Sequence, residues 1–175
     1  MDRLARVLHG DELKVAFAFL LTMPGAPFIY YGDEIGLRYV ENLVSVEGGY
    51  NRTGSRSPMQ WNHEVNFGFS NASPEKLYIP TDDKPNSPTV EDQMKDPNSL
   101  YYEVKKLIAL RREHSALLSD GDIEFVSDGA DGSLLAYIRS SADEKILVVI
   151  NPADREAVLN VPGDWKETLY EIGGA

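Results

Sequence analysis

The sequence contains no cysteine and is poor in basic side chains. Its 175 residues include 17 Lys+Arg against 28 Asp+Glu, which gives a formal net charge of -11. The absence of cysteine excludes disulfides, thiolate metal sites and a cysteine nucleophile. The shortage of positive charge argues against nucleic acid or an anionic membrane as a partner, because both are bound by clustered cations. A neutral ligand such as a sugar is compatible with this composition.

Long apolar runs are also missing. The run Val15–Leu21 is far shorter than the roughly 20 residues that span a bilayer, so we expect a buried element there. Met1–Arg6 shows no secretory signal, which leaves the cellular location open, with the cytoplasm favoured. The hydrophobic and charged fractions, 42% and 26%, are typical of a folded globular protein.

The first third of the chain predicts a helix followed by a strand. Gly10-Asp11-Glu12 provides acidic groups at a helix start, and Pro24-Gly25 provides a stop, which predicts a helix over 11–23. Phe28–Tyr31 is aromatic and branched and is followed by glycine, which is typical of a strand. A helix followed by a strand is half of a βα repeat.

A long segment and a second helix follow. Residues 38–98 are rich in Gly, Pro, Asn and Ser with little periodicity, which predicts a substrate-side loop or a linker. Asp96-Pro97 begins a second helix with apolar residues at helical spacing, and Arg111-Arg112 is basic as suits a helix end. This pattern predicts a helix over 98–115.

After Leu118 the pattern changes to short apolar segments separated by turn residues. Their spacing is typical of an antiparallel β-sandwich. The predicted strands are Ile123–Val126, Leu134–Arg139, Lys145–Ile150, Val158–Val161 and Glu167–Tyr170. We therefore predict an all-β domain over 118–175.

Two motifs carry a family resemblance. Pro24-Gly25-Ala26-Pro27-Phe28-Ile29-Tyr30-Tyr31-Gly32-Asp33-Glu34-Ile35-Gly36 and Arg56-Ser57-Pro58-Met59-Gln60-Trp61 resemble the α-amylase superfamily of glycoside hydrolases, in its α-glucosidase and trehalose synthase branch. The resemblance implies the C-terminal end of a (β/α)8 TIM barrel, its last helix-strand-helix, followed by an antiparallel β-sandwich domain. The chain as it stands would be α+β, with barrel residues 1–117 including the loop at 38–98.

The resemblance also implies a function. The chain would be the C-terminal portion of an enzyme that hydrolyses or transfers α-glucosidic bonds in small α-glucans such as maltose or isomaltose-type oligosaccharides. Retaining hydrolysis needs two carboxyls about 5 to 5.5 Å apart, and in the family these lie upstream of the segment that begins at Met1. We therefore expect the chain alone to be inactive. Because an isolated part of a barrel exposes apolar faces meant for missing strands, we also expect it to self-associate or to depend on the missing part. Hydrolase and glucosyl isomerase remain equally open.

Two other interpretations remain open. The chain could exist alone as a non-catalytic carbohydrate-binding or interaction module, or be a product without activity of its own. In the family reading, the partner is an oligosaccharide or disaccharide substrate.

Arg56 is the leading candidate for substrate binding. In relatives the arginine that opens this motif holds glucose hydroxyls, and a guanidinium offers fixed donors to sugar oxygens. The alternative is an ion pair that fixes the loop. Gln60 and Trp61 either line the pocket or are buried under the loop.

Asp33 and Glu34 are further candidates for the pocket lining, since barrel enzymes place their chemistry at strand ends. Neighbouring residues on a strand point to opposite faces, so the two carboxyls are poorly placed as a catalytic pair. The alternative is hydrogen bonding to loop backbone and basic groups. We assign no catalytic residue within the chain.

The sequence supports no metal or cofactor. His9, His63 and His114 are dispersed without metal-ligand spacing. The acidic residues at 120–122 and 128–131 lack the spacing and terminal glutamate of an EF-hand, so they are interpreted as turns.

Overall fold

The computed structural model of the chain describes residues 2–128, 134–151, 153 and 155–173. A first helix, α1 (Asp11–Thr22), begins at the predicted acidic residues. The Glu12 carboxylate accepts a hydrogen bond from the His9 backbone N–H at 2.8 Å, as in a capping box. Asp11 pairs with Lys14 at 2.8 Å. The helix predicted over 11–23 is confirmed.

The chain divides into two units. Unit 1 comprises Met1–Lys14 and Phe28–Lys105, and unit 2 comprises Val15–Pro27 and Lys106–Ala175. Both α1 and a second long helix, Leu100–Glu113, continue from one unit into the other. This second helix confirms the prediction over 98–115. None of the helices in the described residues has the length and apolar character needed to cross a membrane.

One buried apolar cluster of unit 1 joins the long loop to the chain before and after it. Ile35, Leu37 and Met59 form a buried cluster, and Val90 and Tyr101 pack against it. Because these residues come from segments far apart in sequence, the cluster ties the loop to the chain that follows α1.

The segment 38–98 is folded, although its sequence shows little periodicity. It contains several single 3-10 turns and a short helix, α2 (Val90–Lys95), and we number the helix Leu100–Glu113 as α3. The Thr89 hydroxyl caps α2 by accepting a 3.1 Å hydrogen bond from a first-turn N–H. Arg38 pairs with the fully buried Asp82 at 2.7 Å. The loop is therefore held in place by specific contacts.

The strand predicted at Phe28–Tyr31 does not form. No described residue pairs with this segment as a strand, and Phe28 is 89% exposed. A strand needs a neighbour that takes up its backbone N–H and C=O groups. The described part of the chain supplies no such neighbour, so the middle element of the predicted helix-strand-helix is not confirmed.

Unit 2 contains a three-stranded antiparallel sheet in the order β1-β2-β3. The strands are β1 (Asp122–Asp128), β2 (Leu135–Ser140) and β3 (Lys145–Ile150). The register of β1 against β2 shifts between Phe125 and Ser127, which is the mark of a β-bulge. The predicted strands at 123–126, 134–139 and 145–150 are confirmed.

The two later strands predicted for a β-sandwich do not form. Residues 158–161 and 167–170 carry no regular strand, and Val158 is 96% exposed. Strand propensity alone does not make a ladder when no partner covers the segment. The β part of the described chain is a single sheet, and the turn predicted at 128–131 lies mostly outside the described residues.

Two buried arginines of unit 2 lie at the C-terminal end of α1. The last carbonyls of a helix lack intrahelical partners and carry the negative end of its dipole. Arg111 donates to the carbonyls of Leu21, Met23 and Gly25 at 2.6, 2.8 and 2.6 Å. Arg139 donates to the carbonyls of Thr22, Leu118, Gly121 and Asp122. Burial lowers the pKa of both guanidinium groups.

Candidate functional site

A glycine in the left-handed region opens the turn that carries Glu34. Gly32 has φ 86°, and the 3-10 turn Asp33–Ile35 follows it. The Leu37 backbone N–H donates to the Gly32 carbonyl at 2.8 Å and closes the turn. A Cβ atom at Gly32 would lie 2.7 Å from Cδ2 of Leu37, closer than side-chain atoms approach. Both the backbone angle and the space therefore require glycine here.

The Arg3 side chain is fully buried beside this turn. Its Nη1 pairs with Oδ1 of Asp33 at 3.1 Å and also donates to the Tyr31 carbonyl. The guanidinium carbon lies 4.4 Å from the ring centroid of Tyr30 and 4.7 Å from that of Tyr31. Burial raises the pKa of Asp33, and the Arg3 hydrogen bond and charge only partly oppose this. The buried Asp33 therefore holds this turn in place through its pair with Arg3.

The segment from Arg56 to Trp61 has exposed ends and a buried middle. It follows the 3-10 turn Thr53–Ser55. Arg56 is exposed and makes no ion pair within the described residues, and Trp61 is 50% exposed. Gln60 is fully buried, and its Nε2 donates to the Pro88 carbonyl at 2.5 Å. Gln60 thus anchors the segment to the returning loop.

These segments line an open cavity of about 440 Å³ in unit 1. Two charged side chains of opposite sign, Glu34 and Arg56, stand in an otherwise mainly apolar wall. The other lining residues are Tyr31, Pro58, Met59, Trp61, Phe69, Tyr78 and Ile79. A buried oxygen of Glu34, Oε2, has no hydrogen-bond partner in the described residues.

The chemistry of this wall suits a ligand with both apolar faces and polar edges. Trp61, Phe69 and Tyr78 are about half exposed, at 50%, 51% and 53%, so their rings offer surface to a ligand. Aromatic rings contribute large apolar contact area, while carboxylate and guanidinium groups accept from and donate to hydroxyls. Few polar groups in a mainly apolar pocket is the usual composition of a small-molecule site.

The cavity brings together part of the set predicted from sequence. Arg56, Glu34 and Trp61 line it, whereas Asp33 and Gln60 are buried and are not among the lining residues. Sequence reasoning missed three aromatic lining residues, Tyr31, Phe69 and Tyr78. Tyr31 lies in the first of the two family motifs, which therefore held a signal, whereas Phe69 and Tyr78 lie outside both motifs.

No metal centre is visible in this part of the molecule. Among the residues that the structure describes, no group of three or more His, Asp or Glu side chains could hold a metal ion. Residues 129–133, within the acidic segment discussed above, lie outside the described ranges.

Comparison with known families identifies the chain. Residues 1–121 match the model of the α-amylase catalytic domain, and residues 123–172 match that of the maltogenic amylase C-terminal domain. The chain therefore belongs to the α-amylase family, as its two motifs predicted.

Individual relatives agree with this family. A trehalose synthase from Pimelobacter sp. is 36% identical, over 85% of this chain and 26% of the relative. A glucan 1,6-α-glucosidase from Streptococcus pneumoniae is 35% identical, over 93% of this chain and 35% of the relative. The chain thus spans about a quarter to a third of these two curated relatives.

Two solved structures are similar to the chain in fold and sequence. The trehalulose synthase MutB from Pseudomonas mesoacidophila has a TM-score of 0.66 at 26% identity, covering 79% of this chain and 29% of that chain. A variant of isomaltulose synthase from Erwinia rhapontici, solved with D-glucose, has a TM-score of 0.66 at 27% identity, covering 80% and 29%.

Proposed function

We propose that the chain is part of an enzyme that hydrolyses or transfers α-glucosidic bonds in small α-glucans, and that it contributes Arg56 to the glucose pocket. The observation that carries the proposal is the exposed Arg56 guanidinium at the cavity, without an ion pair in the described residues. Glu34 and the ring of Trp61 stand in the same wall. Fixed guanidinium donors suit sugar hydroxyls, and an aromatic face suits the apolar side of a pyranose.

The similar proteins support this choice of substrate class. The curated relatives are named trehalose synthase and glucan 1,6-α-glucosidase, and one structural neighbour contains D-glucose. In the proposal, residues 1–117 complete a (β/α)8 barrel and 118–175 form its terminal β domain.

The proposal assigns the chemical step to groups outside this chain. Retaining hydrolysis uses one carboxyl to attack carbon and a second, about 5 to 5.5 Å away, to protonate the leaving oxygen. In the family these carboxyls stand on earlier barrel strands. The 175 residues alone are then expected to hydrolyse no α-glucoside, while the pocket residues Arg56, Glu34 and Trp61 orient the sugar.

Arg56→Ala, made in the full coding sequence that specifies this chain, tests the proposal. Loss of hydrogen bonds from a charged donor costs about 1.5 to 3 kcal/mol, so we expect kcat/KM for 4-nitrophenyl α-D-glucopyranoside to fall about 10- to 150-fold. The melting temperature should stay unchanged, because Arg56 is exposed and unpaired in the described structure.

Arg52→Ala is the matched control for this experiment. Arg52 is also exposed, but its guanidinium lies 4.7 Å from the Tyr50 ring centroid and it does not line the cavity. We expect a change in kcat/KM of less than about twofold. If Arg56→Ala behaves like Arg52→Ala, the assignment of Arg56 to the glucose pocket is wrong.

A second candidate function is a stand-alone, non-catalytic carbohydrate-binding or interaction module. The observation in its favour is that the cavity wall brings together Glu34, Arg56 and the ring of Trp61, a set that suits a sugar without any catalytic pair. An immunoblot of source-cell extract separates the two functions. A band far above 19.5 kDa supports the enzyme, whereas a band at 19.5 kDa that binds methyl α-D-glucopyranoside without hydrolysing α-glucosides supports the module.

A further inference from the structure

The backbone around Arg56 is fixed by one contact on each side. The Arg56 N–H donates to the Thr53 carbonyl at 2.9 Å, within the preceding 3-10 turn. On the other side, the Tyr31 hydroxyl donates to the Ser57 carbonyl at 3.0 Å. The first contact is local to the turn, while the second comes from a residue 26 positions earlier in the chain.

The position of Tyr31 is itself fixed. Arg3 donates to its main-chain carbonyl and lies 4.7 Å from the centroid of its ring. The centroid of the Tyr30 ring is 4.8 Å from that of Tyr31, with the two rings tilted by 60°. Burial raises the pKa of the Tyr31 hydroxyl, so it remains a protonated donor at neutral pH. A buried arginine thus supports the ring whose hydroxyl reaches the Arg56 segment.

We infer that Tyr31 is a positioning residue for Arg56, and that its bond to the Ser57 carbonyl sets where the guanidinium stands in the cavity. An arginine side chain has many rotamers, so its reach into a pocket depends on a fixed main chain at its base. The hydrogen bond from the Tyr31 hydroxyl to the Ser57 carbonyl holds the main chain next to Arg56 in place. This inference rests on the proposed function of Arg56.

Tyr31→Phe is the direct test, because it removes the hydroxyl and keeps the ring beside Arg3. The variant is made in the full coding sequence, and KM, kcat and the Kd of methyl α-D-glucopyranoside are measured. Loss of one neutral hydrogen bond that positions a binding group should raise KM and Kd about 3- to 10-fold, with kcat changed less than about twofold. The melting temperature checks that the variant is folded.

Tyr39→Phe is the matched control. The Tyr39 hydroxyl also donates to a main-chain carbonyl of the loop, that of Asn51, at 2.7 Å. Tyr39 does not line the 440 Å³ cavity. Its loss should leave Kd within about twofold of the wild type. Equal effects of the two variants would mean that any loosened loop weakens binding, and would overturn the inference.

The double variant with Arg56→Ala shows whether Tyr31 acts through Arg56. Tyr31 also lines the cavity, so its hydroxyl could contact the sugar directly. If it acts by positioning, Tyr31→Phe should add less than about twofold to the loss caused by Arg56→Ala. If the losses caused by Tyr31→Phe and Arg56→Ala multiply in the double variant, Tyr31 acts independently of Arg56. This result would overturn the inference and leave the role of Arg56 intact. An unchanged Arg56→Ala enzyme would refute the proposed function itself.

Discussion

Arg139→Met tests how a buried guanidinium stabilises unit 2. Arg139 is fully buried and donates four hydrogen bonds to main-chain carbonyls of the described residues. Methionine keeps the length and the apolar stem but has no donor. The variant therefore leaves four carbonyls without the donor that they share, two of them near the start of β1 and one at the end of α1.

The magnitude follows from two opposing contributions. A hydrogen bond from a charged donor contributes about 1.5 kcal/mol net, so four contribute about 6 kcal/mol. Taking the guanidinium charge out of water is unfavourable, and relief of this desolvation returns about 3 kcal/mol to the methionine variant. We expect a net loss of about 3 kcal/mol, against a total stability of about 5 to 15 kcal/mol for a domain.

Urea unfolding followed by circular dichroism measures this loss as a shift in the midpoint at constant slope. Arg112→Met is the matched control, because Arg112 is exposed on α3 and should change stability by less than about 0.5 kcal/mol. A free energy of unfolding for Arg139→Met within about 0.5 kcal/mol of the wild type would refute the assignment of stability to the four carbonyl contacts.

Acid and a glycine substitution provide two further tests. Burial alone raises the pKa of Glu144, but hydrogen bonds from His114 at 2.5 Å and the Ala116 N–H at 3.0 Å outweigh it and hold the pKa below its usual value of 4.5. A carboxyl with a lowered folded pKa stabilises above its unfolded pKa and loses this as pH falls through the folded value. From about pH 6 to about pH 3 the melting temperature of the wild type should therefore fall more than that of Glu144→Gln, and equal falls would contradict the role of Glu144. Gly32→Ala should lower stability by about 2 to 4 kcal/mol, because the new Cβ meets Leu37 as well as an unfavourable backbone angle. Gly10→Ala is its control, with φ 54° but open space, and should cost only about 1 kcal/mol; equal urea midpoints would exclude the clash.

The helices were predictable because their ends are encoded locally. The acidic start of α1 and the Pro-Gly stop after it lie within a few residues of the boundaries, and the same holds for the start of α3. The strand predicted at 28–31 is not confirmed, because a ladder needs a partner that local sequence does not specify. The strand predicted at 158–161 does not form for the same reason, although the composition of these residues is typical of a strand.

The cavity was predictable only where a side chain belongs to a short motif. Arg56 and Trp61 are the exposed ends of a segment whose middle is buried. The alternation of polar and apolar residues in the sequence does not reveal this burial pattern. The burial of Gln60 depends on Pro88, and that of Asp33 depends on Arg3, each about 28 to 30 positions away. Such distant polar pairs leave no periodic signal in the sequence.

The contacts that Arg111 and Arg139 make at the end of α1 depend on the length of that helix. Their acceptors are main-chain oxygens, so the contacts depend on where the helix stops and not on which side chains stand there. An inserted or deleted residue within α1 would turn its last carbonyls by about 100° and carry them away from both guanidinium groups. Among homologous chains, substitutions at Leu21 or Met23 should therefore preserve this junction, whereas a change in the number of residues between Asp11 and Gly25 should not.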